Sequence, residues 1–295
     1  MYTCTGHRAA VYALAQGMTD RDVLSAGGDG WVVSWNLDDP ETGRVVASVE
    51  TQVFSLINLP ENNRIVAGTM HGGLHWIDLA HPEKTRNIQH HTKGVYDLKT
   101  HGQWLFSAGG DGVLTRWSVA EARTLESFHL SNKALRSIAV APGRNELAVG
   151  AGDGTIYFLD LDTLALKHTM LHAHTPSVFA LCYAPGEQRL FSGGRDAMLR
   201  IWNLENTSAP ALLSEQPAHW YTINHIVLSP NGNRFATASR DKTIKIWDTA
   251  TGQLLRVFDP IRDAGHINSV NRLLWLPGTL VSCSDDRTLK MMNDE

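Results

Sequence analysis

Short stretches of β-branched, aromatic and other apolar residues alternate with polar turns along the whole chain, most clearly in Ser239 to Asp248, SRDKTIKIWD. Asp241 sits in a tight polar turn, and six residues later Trp247 closes a run in which Ile244, Ile246 and Trp247 carry the apolar character. A polar turn leading into such a run predicts a strand. The pattern returns in FSAGGDGVLTRWSV, from Phe106 to Val119, and in FSGGRDAMLRIWNL, from Phe191 to Leu204. APGRNE from Ala141, APGEQ from Ala184 and SPNGN from Ser229 read as turns between first and second strands, with Pro placed where no ladder hydrogen bond is needed.

Aligned on the turn position, the copies fall at Asp29, His71, Asp111, Asp153, Asp196, Asp241 and Asp286, with steps of 42, 40, 42, 43, 45 and 45 residues. A period of about 40–45 residues is that of a four-stranded propeller blade. Over essentially all 295 residues, the chain resembles the WD-repeat β-propeller family. The resemblance implies an all-β, single seven-bladed propeller of four-stranded antiparallel blades. In that family each copy has a His before the first strand, a Ser or Thr in the second, an Asp in the next turn and a Trp ending the third. Four copies here are complete: His7, Ser25, Asp29, Trp35; His91, Ser107, Asp111, Trp117; His174, Ser192, Asp196, Trp202; and His219, Thr237, Asp241, Trp247. The seventh has His266, Ser282 and Asp286, with Met292 in the Trp place. The fourth keeps only Asp153, with Ser131, Val149 and Leu159 elsewhere, and the second keeps none, having Val49, Ala67, His71 and Ile77.

These residue types suit a hydrogen-bond relay. Indole N–H only donates, whereas a hydroxyl and a neutral imidazole both donate and accept. Ending the relay on a carboxylate makes its last bond charge-assisted. A set that occurs four times is a blade tie and not a catalytic triad. Asp153, without its usual partners, is expected to matter much less than Asp241. MYTCT, residues 1–5, precedes the first copy, and the last copy lacks a fourth strand. The N-terminal strand is therefore expected to complete blade seven and close the ring, making residues 1–295 one propeller.

Composition narrows the field without naming a function. A net charge of −4 argues against sequence-independent nucleic-acid binding. No apolar run of 18 residues occurs, so no membrane span is expected. The opening residues lack the basic and apolar regions of a secretory signal, which makes the cytoplasm the default. Cys4, Cys182 and Cys283 form no metal motif; Cys4 and Cys283 would lie two strands apart, about 9–10 Å, and so stay free thiols. His168, His172 and His174, like His71 and His75, lack a nearby carboxylate or cysteine to complete a ligand set, and no metal or cofactor is expected.

Function must then reside on a surface. In the resembled family, partners dock on the top face around the central channel. The residue just inside the first strand of each copy is Tyr12, Phe54, Tyr96, Arg136, Phe179, Asn224 and Asn271, and Arg195 and Arg240 precede turn aspartates. These residues are open to two readings. One is a site for a short peptide with an apolar anchor and an acidic group captured by Arg136, Arg195 and Arg240. The other is packing of the aromatics between blades, with solvated arginines. Trp220 and Tyr221 add a further anchor in a connecting loop, whereas Trp31, Trp104 and Trp275 fall on strands. The insertion Asp259 to Ala264 is either a tolerated loop or a partner contact. The leading expectation is a monomeric, non-enzymatic scaffold or adaptor for other proteins. Its alternatives are a substrate-recognition subunit of an enzyme complex and a propeller enzyme with a channel metal.

Overall fold

Turns of only a few residues force each strand to pair antiparallel with its neighbour in sequence, and seven such meanders form. The computed structural model describes residues 1–206 and 209–293. They form seven four-stranded antiparallel sheets. Blade one comprises Val11–Gln16, Asp22–Gly27, Trp31–Asn36 and Asp39–Ser48, from the inner strand outward. The inner strands of blades two to seven are Val53–Leu59, Val95–His101, Leu135–Ala141, Val178–Tyr183, Ile223–Leu228 and Val270–Leu276. Each packs beside the next, and Val270–Leu276 returns to Val11–Gln16, so the ring closes around a central channel.

Closure uses the N-terminal strand as expected. Tyr2–Thr5 pairs with Thr288–Asn293 as the outer strand of blade seven. Leu289 lies opposite Cys4 on one side and Cys283 on the other, so an intervening strand separates the two thiols. All three cysteines are free. Burial pushes the Cys4 thiol up to about 12 and Cys182 to about 11.

The apolar core is divided among the interfaces between blades. Each of seven buried clusters draws its residues from two adjacent blades. Between blades five and six, Phe191 and Phe235 are fully buried and stack with ring centroids 4.4 Å apart. Trp275 is buried between blades six and seven, while Trp31 and Trp104 are half-buried beneath the guanidinium groups of Arg8 and Arg116.

Inside the blades the relay is formed. In blade six, Trp247 Nε1–H donates to Thr237 Oγ1 at 3.0 Å, Thr237 Oγ1 lies 2.7 Å from His219 Nε2, and His219 Nδ1 lies 2.9 Å from Asp241. Blades one, three and five repeat it through Ser25, Ser107 and Ser192, each with no exposed surface. In blade seven His266 still bridges Ser282 and Asp286, both at 2.8 Å, without an indole donor. The same aspartates hold the next loop residue. The backbone N–H groups of Arg8, Thr92, Thr175, Trp220 and Ile267 donate to Asp29, Asp111, Asp196, Asp241 and Asp286.

Blade four corrects one expectation. Asp153 is not without partners: the Ser131 hydroxyl donates to it at 2.5 Å, the Thr155 N–H at 2.9 Å and the Tyr157 hydroxyl at 3.3 Å. A serine at the histidine position sits close enough to reach the turn directly, so a two-residue tie replaces the four-residue one. Blade two, with Ala67 and Ile77 in the hydroxyl and indole positions, fills the place of the tie with apolar packing against blade one.

Burial pushes the imidazoles of His91, His174 and His219 below their ordinary value near 6.5. Burial alone would raise the carboxyls of Asp196, Asp241 and Asp286, but hydrogen bonds from His174, His219 and His266 outweigh it and hold them well below 3.8.

Three outcomes follow from these ties. Asp241→Ala should cost about 2–4 kcal/mol in a denaturant titration because it strands His219. Asp153→Ala should cost about 1 kcal/mol, because only hydroxyl and backbone donors lose their acceptor. Both shifted sets have depressed native values, so their stabilisation is complete above about pH 7 and is lost on acidification. Melting temperature should fall below about pH 6.5, as the unfolded histidines take up protons, and again below about pH 4; a rise between pH 7 and pH 5 would contradict this. Deleting residues 1–5 should lower the urea midpoint and increase aggregation, since it exposes the edge of Thr288–Asn293; an unchanged midpoint would show that closure contributes nothing.

Candidate functional site

Each inner strand changes register immediately after its first residue. The skipped residue is Tyr12, Phe54, Tyr96, Arg136, Phe179, Asn224 or Asn271 in turn. A β-bulge leaves one residue out of the ladder and re-aims its side chain. The seven bulges bring these seven side chains together, with Arg272, around a cavity of about 210 Å³ at the mouth of the channel. The sequence places these residues just inside their strands; the bulge explains why they converge.

Five of the seven form a continuous aromatic and cationic arc. Tyr12 meets Phe54 edge-on with centroids 5.4 Å apart, and Phe54 stacks on Tyr96 at 5.6 Å. The Arg136 guanidinium lies 4.1 Å from the Tyr96 centroid and 5.1 Å from that of Phe179. Burial raises the Tyr12 phenol above its ordinary value, with a further contribution from the Asp285 charge. The two amides are committed to neighbouring blades. Asn224 Nδ2 donates to Ser269 Oγ at 3.0 Å and to the Val270 carbonyl at 2.8 Å; Asn271 Nδ2 donates to the Val11 carbonyl and to Asp285 Oδ1, both at 2.8 Å.

Of the three arginines grouped in the sequence, only Arg136 lines the cavity. Arg195 and Arg240 are exposed in the turns of blades five and six, outside it. Their turn positions set them back from the channel, whereas Arg136 occupies a bulge. Trp220 and Tyr221, 86% and 61% exposed, stand on the rim with Ile267 of the next blade, 65% exposed. The Asp259 to Ala264 segment closes on itself: Asp259 accepts the N–H groups of Ile261 and Arg262 at 2.9 Å, leaving Ile261 exposed.

Beneath the arc lies a group that sequence reasoning missed. Arg272, the residue after the blade-seven bulge, donates to Asp97, the residue after the blade-three bulge. Asp97 also accepts the Ile138 N–H of blade four at 2.8 Å. Burial would raise the Asp97 carboxyl, but the charges of Arg272 and Lys99 outweigh it and lower it. His225, at the equivalent position of blade six, accepts the Leu273 N–H through Nδ1 at 3.3 Å, and burial pushes it well below 6.5. The signal available was a charged residue interrupting an apolar strand, Asp97 in VYDL and Arg272 in VNRLL. Among the described residues, no group of three or more His, Cys, Asp or Glu could hold a metal ion, and no helix is long and apolar enough to cross a membrane.

A larger cleft, about 570 Å³, lies on the opposite face between blades two and three, against Arg64, Trp76, Arg86 and Glu121. Arg64 and Arg86 are already bonded there to the carbonyls of Ala120 and Glu121. The channel mouth, where the Arg136 Nε–H has no acceptor among the described residues, offers more unused chemistry.

Comparison with known proteins agrees with this architecture. A family model described as "WD domain, G-beta repeat" matches residues 1–36, 82–118, 165–203 and 211–248. The chain is 25% identical over 317 residues to transducin beta-like protein 3 of Rattus norvegicus, covering 97% of this chain and 39% of that one. It is 23% identical to the target of rapamycin complex subunit wat1 of Schizosaccharomyces pombe, covering 77% and 74%, and 26% identical to a guanine nucleotide-binding protein subunit beta of Nicotiana tabacum, covering 79% and 65%. The crystal structure of the WD40 β-propeller domain of Doa1 superposes with a TM-score of 0.87 at 20% identity, over 100% of this chain and 96% of that one.

The ion pair across the channel generates its own test. Arg272→Ala alone should destabilise by about 3–5 kcal/mol, because it leaves the Asp97 charge buried and unpaired. Adding Asp97→Ala should recover much of that loss. A double-mutant cycle without coupling would show that the pair does not tie blades three and seven.

Proposed function

Because this chain belongs to the WD40 repeat family, we propose that it is a non-enzymatic interaction scaffold or complex subunit, holding a segment of a partner protein against the channel mouth. The observation that carries this reading is the convergence of all seven bulged residues on one cavity. Structural packing alone does not require an arc of ring contacts through Tyr12, Phe54 and Tyr96 facing a cavity. Aromatic and arginine side chains are the groups that dominate binding energy at protein interfaces. Two relatives carry names of assembly subunits, one of a target of rapamycin complex and one of a guanine nucleotide-binding protein, which supports a part played within a larger assembly.

The arc supplies an aromatic surface for one anchoring side chain, and the rim residues Trp220, Tyr221 and Ile267 extend the contact outward over blades six and seven. The ties beneath keep the arc in place before a partner arrives, which reduces the ordering cost of binding.

Affinity capture from native lysate, comparing wild type with a folded Phe54→Ala, Tyr96→Ala variant, tests the reading. Loss of a specific partner, by roughly 30-fold in affinity for each truncated hot-spot residue, is expected. Capture that is unchanged would move the binding surface to the rim, the side or the Asp259 to Ala264 loop.

A further inference from the structure

Among the described residues, Arg136 is a cation of the channel mouth without an ion-pair partner. Its guanidinium is held over the faces of Tyr96 and Phe179, and its Nε–H is shut off from solvent with no acceptor among the described residues. Stacking between two rings removes water from a cation and fixes its plane, but supplies nothing to accept its hydrogen bonds. A buried charged donor without an acceptor is costly. The neighbouring cation is not in this position, since Asp97 already pairs with Arg272.

The exposed tips of the surrounding loops carry further cations. Lys93, Lys133, Arg195, Arg240, Lys242 and Arg287 are exposed in the loops and turns of blades three to seven, and none forms an ion pair with a described residue. The carboxylates of Asp29, Asp111, Asp196, Asp241, Asp285 and Asp286 stand on the same face, half-buried in the turns. Exposed cations standing outside those carboxylates help to attract and orient an acidic partner.

Resting on the reading of the channel mouth as a partner site, we infer that the group entering the cavity is an anion, either a carboxylate of an acidic side chain or a phosphate ester, received by Arg136. The planar fork of a guanidinium matches either group in a bidentate pair. A cavity of about 210 Å³ has the room of about seven waters at about 30 Å³ each, which suits one side-chain head and not a helix. The adjoining residue of the bound segment then rests on Phe54 and Tyr12.

The test uses full-length protein, immobilised, and four synthetic nonapeptide pools, random except for a central Glu, Gln, phosphoserine or Ser. Retention of the Glu or the phosphoserine pool should exceed that of its uncharged counterpart roughly tenfold or more, the worth of a charge-assisted hydrogen bond. Whichever pool is retained identifies the source of the anion. Arg136→Gln should abolish the preference, Arg136→Lys should keep part of it, and Lys242→Gln should leave it nearly intact; melting curves confirm that each variant is folded. If Arg136→Gln does not fold, the partial preference of Arg136→Lys carries the test, and an undiminished one overturns the assignment. A charge preference that survives Arg136→Gln also overturns it in favour of the rim. Equal retention of charged and uncharged pools, still lost in Phe54→Ala, overturns the anion and leaves the channel-mouth reading standing. Retention of no pool above the Phe54→Ala background overturns both.

Discussion

A fully buried hydroxyl that must satisfy two neighbours at once is the constraint on which the blades depend. In blade six it is Thr237, which accepts from the Trp247 indole and faces His219, whose other nitrogen faces Asp241. The indole can only donate, so the single hydroxyl proton is left for His219 Nε2, and the imidazole proton must lie on Nδ1, toward the carboxylate. One chain of proton positions therefore links the third strand, the second strand, the incoming loop and the turn. The carboxylate at its end also takes the N–H of Trp220, and the chain enters the inner strand from a fixed point. Blades one, three and five repeat this arrangement, so four of the loops that frame the top face are set by the same buried chemistry.

Fixed entry points make the bulges effective. A bulge at the start of one inner strand re-aims one side chain; in a closed ring of seven, the same bulge gathers seven side chains around an axis. Below them the Arg272 and Asp97 pair spans from blade seven to blade three, and Asn224 and Asn271 tie blade six to seven and seven to one. The polar groups around the channel are mostly consumed in holding the ring together. Arg136 is left over, in a bulge of blade four, the blade whose own tie has been reduced to Ser131 and Asp153.

What was legible in the sequence follows from how local its causes are. Repeat length, strand runs and the residue types of the relay are short-range features, and they were enough for the seven-bladed fold and for closure by Tyr2–Thr5. The channel residues could be placed at the start of their strands, because strand order fixes the end that faces the axis. The bulge that aims them could not be read, since a one-residue slip in register leaves no mark in composition. Nor could the pairing of Asp97 with Arg272, 175 positions apart, because it depends on which blades stand across the ring from one another. Arg195 and Arg240 were grouped with Arg136 on charge, but a turn and a bulge direct side chains differently, and only the bulge leads to the cavity. Asp153 was judged by its missing histidine, whereas the distance from turn to loop in blade four is short enough for a serine.

The proton order of the relay is open to direct observation by long-range proton–nitrogen NMR of the imidazoles at neutral pH. The account predicts His219 as neutral and protonated on Nδ1, with Nε2 bare and accepting from Thr237, and the same for His91 with Ser107. An Nε2-protonated or doubly protonated ring at these positions would mean that the hydroxyl does not donate to the imidazole, and that the blades are held by some other arrangement.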